Sequence, residues 1–271
     1  MIHFKLSAFK QCAVCLTVLL LLGNMTPGTG WAQTRGNREF YQLKIYHLNA
    51  ESQVKGILSY LKNAYLPALH RHGIPKVGVF VPVDQDTLTD KKIYVFIPVQ
   101  HLEQLVALPH VLGRDKQYMQ ASADYRNAPY DHPAYQRIES ILLHAFPMAP
   151  HAMTPDLQSP KSDRIYELRS YESTSESYNA NKVEMFNKGG EIGIFKRIHA
   201  NAVFYSNVFS GSHMPNLMYM TSYENMDDRN AHWKSFSNDP LWKKISSMDH
   251  YQHNVSHVDD IFLHGVSFSD L

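Results

Sequence analysis

The chain is written twice, and that duplication constrains its fold more than any other feature. Phe40–Tyr46 (FYQLKIY) matches Ile165–Tyr171 (IYELRSY) position for position, 125 residues apart. Ile93–Phe96 matches Leu217–Met220 at an offset of 124, and Ile141–Phe146 matches Ile261–Val266 at 120. Three matches in one order at a nearly constant offset define a tandem repeat. Each copy reads strand, helix, strand, strand, helix, strand. The first copy places these at Glu39–Tyr46, Val54–Arg71, Lys76–Val83, Lys92–Val99, helical segments from His101, and Ile138–Phe146. The second places them at Arg164–Tyr171, Ser177–Arg197 with a break at Gly189-Gly190, Ala200–Phe209, Leu217–Tyr223, Asp227–Phe236 and Asp260–Phe268. Asn238-Asp239-Pro240 reads as a helix restart, an N-cap followed by Pro in the first turn, running on from Trp242 to about His257.

A βαββαβ unit is the ferredoxin-like plan, a four-stranded antiparallel sheet with helices on one face. The other face stays open, so two copies in one chain bury both open faces by pairing into a barrel. The expected fold class is α+β, with tandem ferredoxin-like repeats at 33–146 and 163–271. Pro147, Pro150, Pro155 and Pro160 mark 147–162 as a linker.

Residues 1–32 read as a secretory leader. Lys5 and Lys10 supply a positive start, Cys12–Gly23 is an apolar run, and Gly30-Trp31-Ala32 offers small residues for cleavage after Ala32. The run is short for a helix crossing a bilayer core of roughly 30 Å. The expectation is an exported protein, periplasmic or secreted, with no stable membrane span after cleavage. Cleavage would remove both cysteines, leaving no thiol chemistry. It would also remove two of the 26 basic residues, leaving 24 against 25 acidic ones. That balance gives no footprint for nucleic acid.

Four blocks in the second copy carry a family resemblance. Tyr166–Tyr171 (YELRSY), Gly193–Arg197 (GIFKR), Asn216–Met220 (NLMYM) and Ala231–Trp242 (AHWKSFSNDPLW) together resemble the NIPSNAP family. The first copy is a weaker match, with Asp115-Lys116-Gln117-Tyr118 standing where Asp239-Pro240-Leu241-Trp242 would place it. The resemblance implies the dimeric α+β-barrel fold, formed here within one chain. That superfamily also holds small cofactor-independent monooxygenases, haem-handling proteins and isomerases. The family supplies no settled catalytic motif, so no active residue carries over.

Strand alternation nominates site residues. Tyr41, Leu43 and Ile45 share one face of the first strand, against Gln42, Lys44 and Tyr46; Tyr166 and Leu168 oppose Glu167, Arg169 and Tyr171. If the apolar set faces the helices, Gln42, Lys44, Tyr46, Glu167, Arg169 and Tyr171 line the barrel interior. There they either pair as buried ions or form a polar pocket for a small molecule. His250, His253 and His257 would share a helical stripe and are a weak metal set, with a solvated face as the plainer reading. His144 and His264 are equivalent by repeat and read more simply as packing positions. Trp233, Phe236 and Trp242 have core spacing. Asn254-Val255-Ser256 fits the glycosylation pattern weakly.

No nucleophile elbow, dinucleotide fingerprint or phosphate loop is present in the sequence. Three functions remain open: a small-molecule binder holding its ligand between the half-sheets, a cofactor-independent monooxygenase- or isomerase-type enzyme, and a protein-interaction module. No cofactor is expected, with haem or a His-bound metal left open, and oligomeric state is open.

Overall fold

The structure is a computed structural model and describes residues 38–87 and 89–271. The leader expected at 1–32 lies outside the described residues. Eight strands follow the repeat: β1 Phe40–Leu48, β2 Gly78–Pro82, β3 Lys91–Val99, β4 Arg137–Ala145, β5 Ile165–Glu172, β6 Asn201–Ser210, β7 Asn216–Tyr223 and β8 His257–Gly265. They close into one antiparallel barrel in the order β1-β3-β2-β8-β5-β7-β6-β4. Each copy therefore contributes a ferredoxin-like sheet, β4-β1-β3-β2 or β8-β5-β7-β6. The sheets join through β2–β8, where Phe80 faces Gly265, and through β4–β6, where Leu143 faces Val208. Closure pairs each strand on both sides over part of its length, while His257–Ile261 of β8 and Arg137–Ile141 of β4 have a ladder partner on one side only.

Helices cover the outside of both sheets. In the first copy α1 (Glu51–Tyr60) passes through a π-helical turn, Leu61–Tyr65, into α2 (Leu66–Arg71). After β3 come α3 (Leu102–Arg114), α4 (Lys116–Ala121) and α5 (Ala123–Arg126). In the second copy α6 (Glu176–Asn187) and α7 (Glu191–Arg197) are separated at Gly189-Gly190. Gly190 has φ +93°, and a Cβ on Gly189 would lie 2.5 Å from the Met185 carbonyl oxygen, so both positions require glycine. After β7, α8 (Met226–Asn238) ends and α9 (Pro240–Ser246) restarts; the Asp239 carboxylate accepts from the Leu241 N–H at 2.8 Å. The helix expected to reach His257 stops at Ser246, and His257 opens β8.

Apolar side chains form three layers. One packs the first-copy helices on their sheet, one packs the second-copy helices on theirs, and one fills the barrel. The barrel layer draws on all eight strands, with Tyr41, Phe96 and Phe204 in mutual ring contact and Phe80 against Tyr166. An eight-stranded barrel is just wide enough for inward side chains to fill. Space remains at one end, a cavity of about 130 Å³ whose lining includes Tyr94, Glu139, Ser170, Asn216 and Asp259. The 147–162 segment lies against the second sheet, with the Met153 N–H on the Val203 carbonyl and the Gln158 and Ser159 N–H groups on the Glu224 carboxylate. No helix among the described residues is long and apolar enough to cross a membrane.

Candidate functional site

The six residues expected inside the barrel face the helices. Tyr41, Leu43, Ile45, Tyr166 and Leu168 take the interior, and Gln42, Lys44, Tyr46, Glu167, Arg169 and Tyr171 lie on the opposite face of the same strands. The inversion has a physical cause. A filled barrel offers a charge neither water nor a partner, whereas the helix side brings polar groups from a second element. Each triple does stay together, one under each helical layer, and the two have different surroundings.

In the second copy the charges are locked. Glu167 is fully buried and accepts from Arg169 Nη1 at 2.6 Å, from Arg229 Nη2 at 2.6 Å and Nε at 2.9 Å, and from Trp233 Nε1 at 2.6 Å. Burial alone would raise its pKa; the Arg229 and Arg169 hydrogen bonds outweigh it and hold the carboxyl below its usual value. Arg169 also reaches Asp260 at 2.7 Å and lies over the Trp233 ring. Beside this network, Lys182 donates to Glu191 at 2.8 Å, both nearly fully buried, with the Lys182 ammonium against the rings of Tyr171, Phe186 and Trp242. The Tyr171 and Tyr219 hydroxyls meet at 2.8 Å. Strand alternation found Glu167 and Arg169, but Lys182–Glu191 joins two helices across a glycine break and has no signature in periodicity.

The first copy is open where the second is closed. Gln42 replaces the carboxylate and donates to Ser140 Oγ at 2.7 Å. Lys44 has no carboxylate partner among the described residues; its ammonium stands 5.0 Å from the Tyr65 ring centroid and 5.9 Å from that of Tyr46. Burial lowers its pKa from 10.5 to about 8. Tyr46 and Tyr65 belong to a tyrosine cluster with Tyr60, Tyr118, Tyr125 and Tyr135. Tyr60 stacks on Tyr125 at 3.7 Å and 7°, and on Tyr65 at 5.6 Å, while its hydroxyl meets that of Tyr118 at 3.0 Å. The Tyr46 hydroxyl is buried beside Tyr125 without a well-formed hydrogen bond. Burial raises the pKa of Tyr46, Tyr60, Tyr65 and Tyr125, the last to about 12, so these four stay protonated near neutrality. Tyr60 and Tyr65 flank or end the π-helical turn, a rare element that recurs at functional sites.

Tyr60 and Tyr125 of this cluster line a cleft of about 680 Å³ between α1 and the 127–136 loop, within the size range of ligand pockets. Tyr60 and Tyr125 present aromatic surface, and Asn49, Gln53, Asn63 and His132 supply polar groups. No lysine or arginine lines it. Gln53 Nε2 donates to the Pro133 carbonyl at 2.8 Å and ties the loop to α1. Sequence reasoning missed the cleft; its available signal was the pairing of Tyr60/Tyr65 with Tyr118/Tyr125 in a chain of 16 tyrosines.

The histidine stripe does not form. His250 sits in a short 3-10 turn, 3.4 Å from Glu184; His253 is exposed with φ +60°; His257 is on β8. Without a helix through 246–257 the three imidazoles share no face. His144 stacks on Phe40 at 4.5 Å beside Arg38, and His264 Nδ1 lies 3.0 Å from the Arg164 carbonyl. Trp233, Phe236 and Trp242 pack in the second helical layer. Asn254 is buried and donates to Asn181, so its glycosylation pattern is not presented to solvent.

A closed barrel built from two ferredoxin-like sheets is the dimeric α+β-barrel architecture. Within it, residues 166–270 match the sequence model of the NIPSNAP family. Two solved structures share most of the fold. A candidate monooxygenase from Lactobacillus acidophilus NCFM is 11% identical with a TM-score of 0.55, over 84% of this chain and 94% of its own. Another from Fusobacterium nucleatum is 6% identical with a TM-score of 0.52, over 84% and 92%. A NIPSNAP-like domain protein from Burkholderia xenovorans is 19% identical over 40% of this chain and 90% of its own, with a TM-score of 0.36. No curated protein matches the chain significantly.

Proposed function

We propose that the protein is an exported small-molecule-binding barrel whose ligand occupies the first-copy cleft, under the helices rather than between the half-sheets. The carrying observation is the 680 Å³ cleft lined by the stacked Tyr60–Tyr125 pair. Aromatic faces with amide, hydroxyl and imidazole groups around them, and with the Asp124 and Asp131 carboxylates in the lining, suit a neutral or cationic ring compound bearing polar substituents. A lining without cations disfavours an anion.

The test is native mass spectrometry of protein from its own cells, followed by titration of the ligand found. Tyr125→Leu, which keeps apolar volume over Tyr60, should weaken binding at least tenfold, about 1.4 kcal/mol, while the protein still folds. Unchanged affinity in that variant would remove the ligand from the cleft. The N-terminal sequence of the same sample tests cleavage after Ala32.

A catalytic reading rests on Lys44, which does not line the cleft but packs on Tyr65, itself stacked on Tyr60 of the lining. A lysine with a pKa of about 8 and no ion-pair partner can give and take a proton near neutral pH. Oxygen uptake or isomer conversion of the identified ligand, lost in Lys44→Met, distinguishes catalysis from simple binding.

A further inference from the structure

The barrel's inward faces grade from apolar to polar along the strands. Tyr166 and Leu168 lie in the packed interior, and Ser170 and Glu172 continue the same face of β5 toward the open end. On β8 the inward series Leu263 and Ile261 continues to Asp259 and His257, and on β7 Met220 and Met218 continue to Asn216. Pairing puts these ends side by side: Glu172 stands opposite His257 on one flank and Asn216 on the other.

Donor atoms of Glu172, His257 and Asp259 lie within 4.8 Å of one another. His257 Nε2 is 3.1 Å from Asp259 Oδ1, and His213 Nδ1 is 2.9 Å from Glu172 Oε1. A second observation is independent of this clustering. Asn216 is 97% buried by its 3% exposure, donates its amide N–H to Ser170, and lines the end cavity with Oδ1 unpartnered. Glu172 Oε1 is likewise buried without a well-formed hydrogen bond despite the nearby His213. Buried acceptors without donors are uncommon, and a cation satisfies them where no N–H can. The surrounding field has the right sign: Glu139, Asp90, Asp259 and Asp84 all act on the buried Tyr94 hydroxyl at this end, and burial together with them pushes its pKa up. Lys92 is the cation among the cavity-lining residues, and it leans on Asp90 at 3.4 Å.

We propose that Glu172, His257 and Asp259, completed by Asn216 Oδ1 and His213, bind a divalent transition-metal cation at the open end of the barrel. Imidazole with carboxylate and amide oxygens is a borderline donor set that suits zinc, cobalt or manganese over magnesium or calcium. Metal–donor bonds are about 2.0–2.2 Å, so the Glu172, His257 and Asp259 donors, now within 4.8 Å of one another, would draw in around the ion, with His257 exchanging its contact to Asp259 for the metal. This site is separate from the first-copy cleft and stands or falls independently of it.

The test is titration of tag-free protein with Zn²⁺ and Co²⁺ by calorimetry, with the visible Co²⁺ spectrum as a second readout. The expected result is one equivalent bound, with a d–d band and a raised melting temperature. His257→Gln, at an exposed side chain, and Glu172→Gln should each weaken binding about tenfold or more, and His250→Gln should leave it unchanged. No saturable binding at millimolar metal would overturn the proposal. So would a Zn²⁺ affinity in His257→Gln equal to that of the wild type, or a Mg²⁺ affinity equal to that for Zn²⁺.

Discussion

Lys44→Met should stabilise the protein near neutral pH, which is unusual for a change at a well-ordered strand position. Burial brings the Lys44 pKa from 10.5 to about 8. Each pKa unit is worth about 1.4 kcal/mol, so holding the ammonium charged in the folded state costs about 3 kcal/mol below pH 8. Methionine keeps the length of the stem and loses the cation–π contact with Tyr65, an interaction of about 0.5–2 kcal/mol. The net gain is about 1–2 kcal/mol, or roughly 2–8 °C in melting temperature for a chain of this size. The sign with pH is specific. A lysine whose folded pKa lies below its unfolded one contributes stability above pH 10.5, loses it as pH falls from 10.5 to 8, and gives none below. The advantage of Lys44→Met should therefore be full at pH 7 and shrink toward pH 10. Urea denaturation from pH 6 to 10 measures this directly. A variant less stable than wild type at pH 7, or a difference that does not move with pH, would show that Lys44 is well solvated or paired and refute the reasoning.

Two further substitutions address the same positions. Glu167→Gln leaves two arginines under the helices with a neutral partner and should cost about 3–5 kcal/mol at pH 7. Because the folded Glu167 pKa is lowered, that stabilisation is present above the unfolded value near 4.5 and is lost as pH falls through the folded value, so the deficit should narrow in acid melts. Gln42→Glu should give Lys44 the neighbour that Arg169 already has, raising the Lys44 pKa from about 8 toward 10.5; a lysine side-chain NMR titration that stays near 8 would count against the equivalence of the two copies.

The architecture was legible because duplication and alternation are properties of strand order, and strand order is what closes this barrel. The break at Gly189-Gly190 and the restart at Asp239-Pro240 were legible for local reasons, a positive φ in one case and an N-cap in the other. The direction of the two strand faces was not. Tyr41, Leu43 and Ile45 alternate with Gln42, Lys44 and Tyr46 whichever way the strand is turned, and only the closed barrel settles which set must be dry. The cleft depends on Tyr60 meeting Tyr125, two residues on helices far apart in sequence. The barrel-end cluster depends on the β5–β8 register that sets Glu172 opposite His257, and no single-strand pattern contains it.

The two copies use equivalent positions differently. Positions 42, 44 and 46 correspond to 167, 169 and 171, and in both copies a cation sits between an acceptor two residues before it and a tyrosine two residues after it. With glutamate at 167 the cation is held by a carboxylate, to which Arg229 and Trp233 also donate. With glutamine at 42 the carboxylate is absent, Lys44 rests on tyrosine faces, and a π-helical turn sets Tyr65 beside it below a cleft of about 680 Å³. An unpaired buried ammonium destabilises the fold that carries it, whereas the ion network opposite stabilises its own half. A barrel closed on itself can carry that asymmetry, because the ordered second copy fixes the strands against which the first copy holds its strained lysine. The cleft and the lysine without a carboxylate partner therefore both fall in the first copy, outside the residues 166–270 that match the NIPSNAP model.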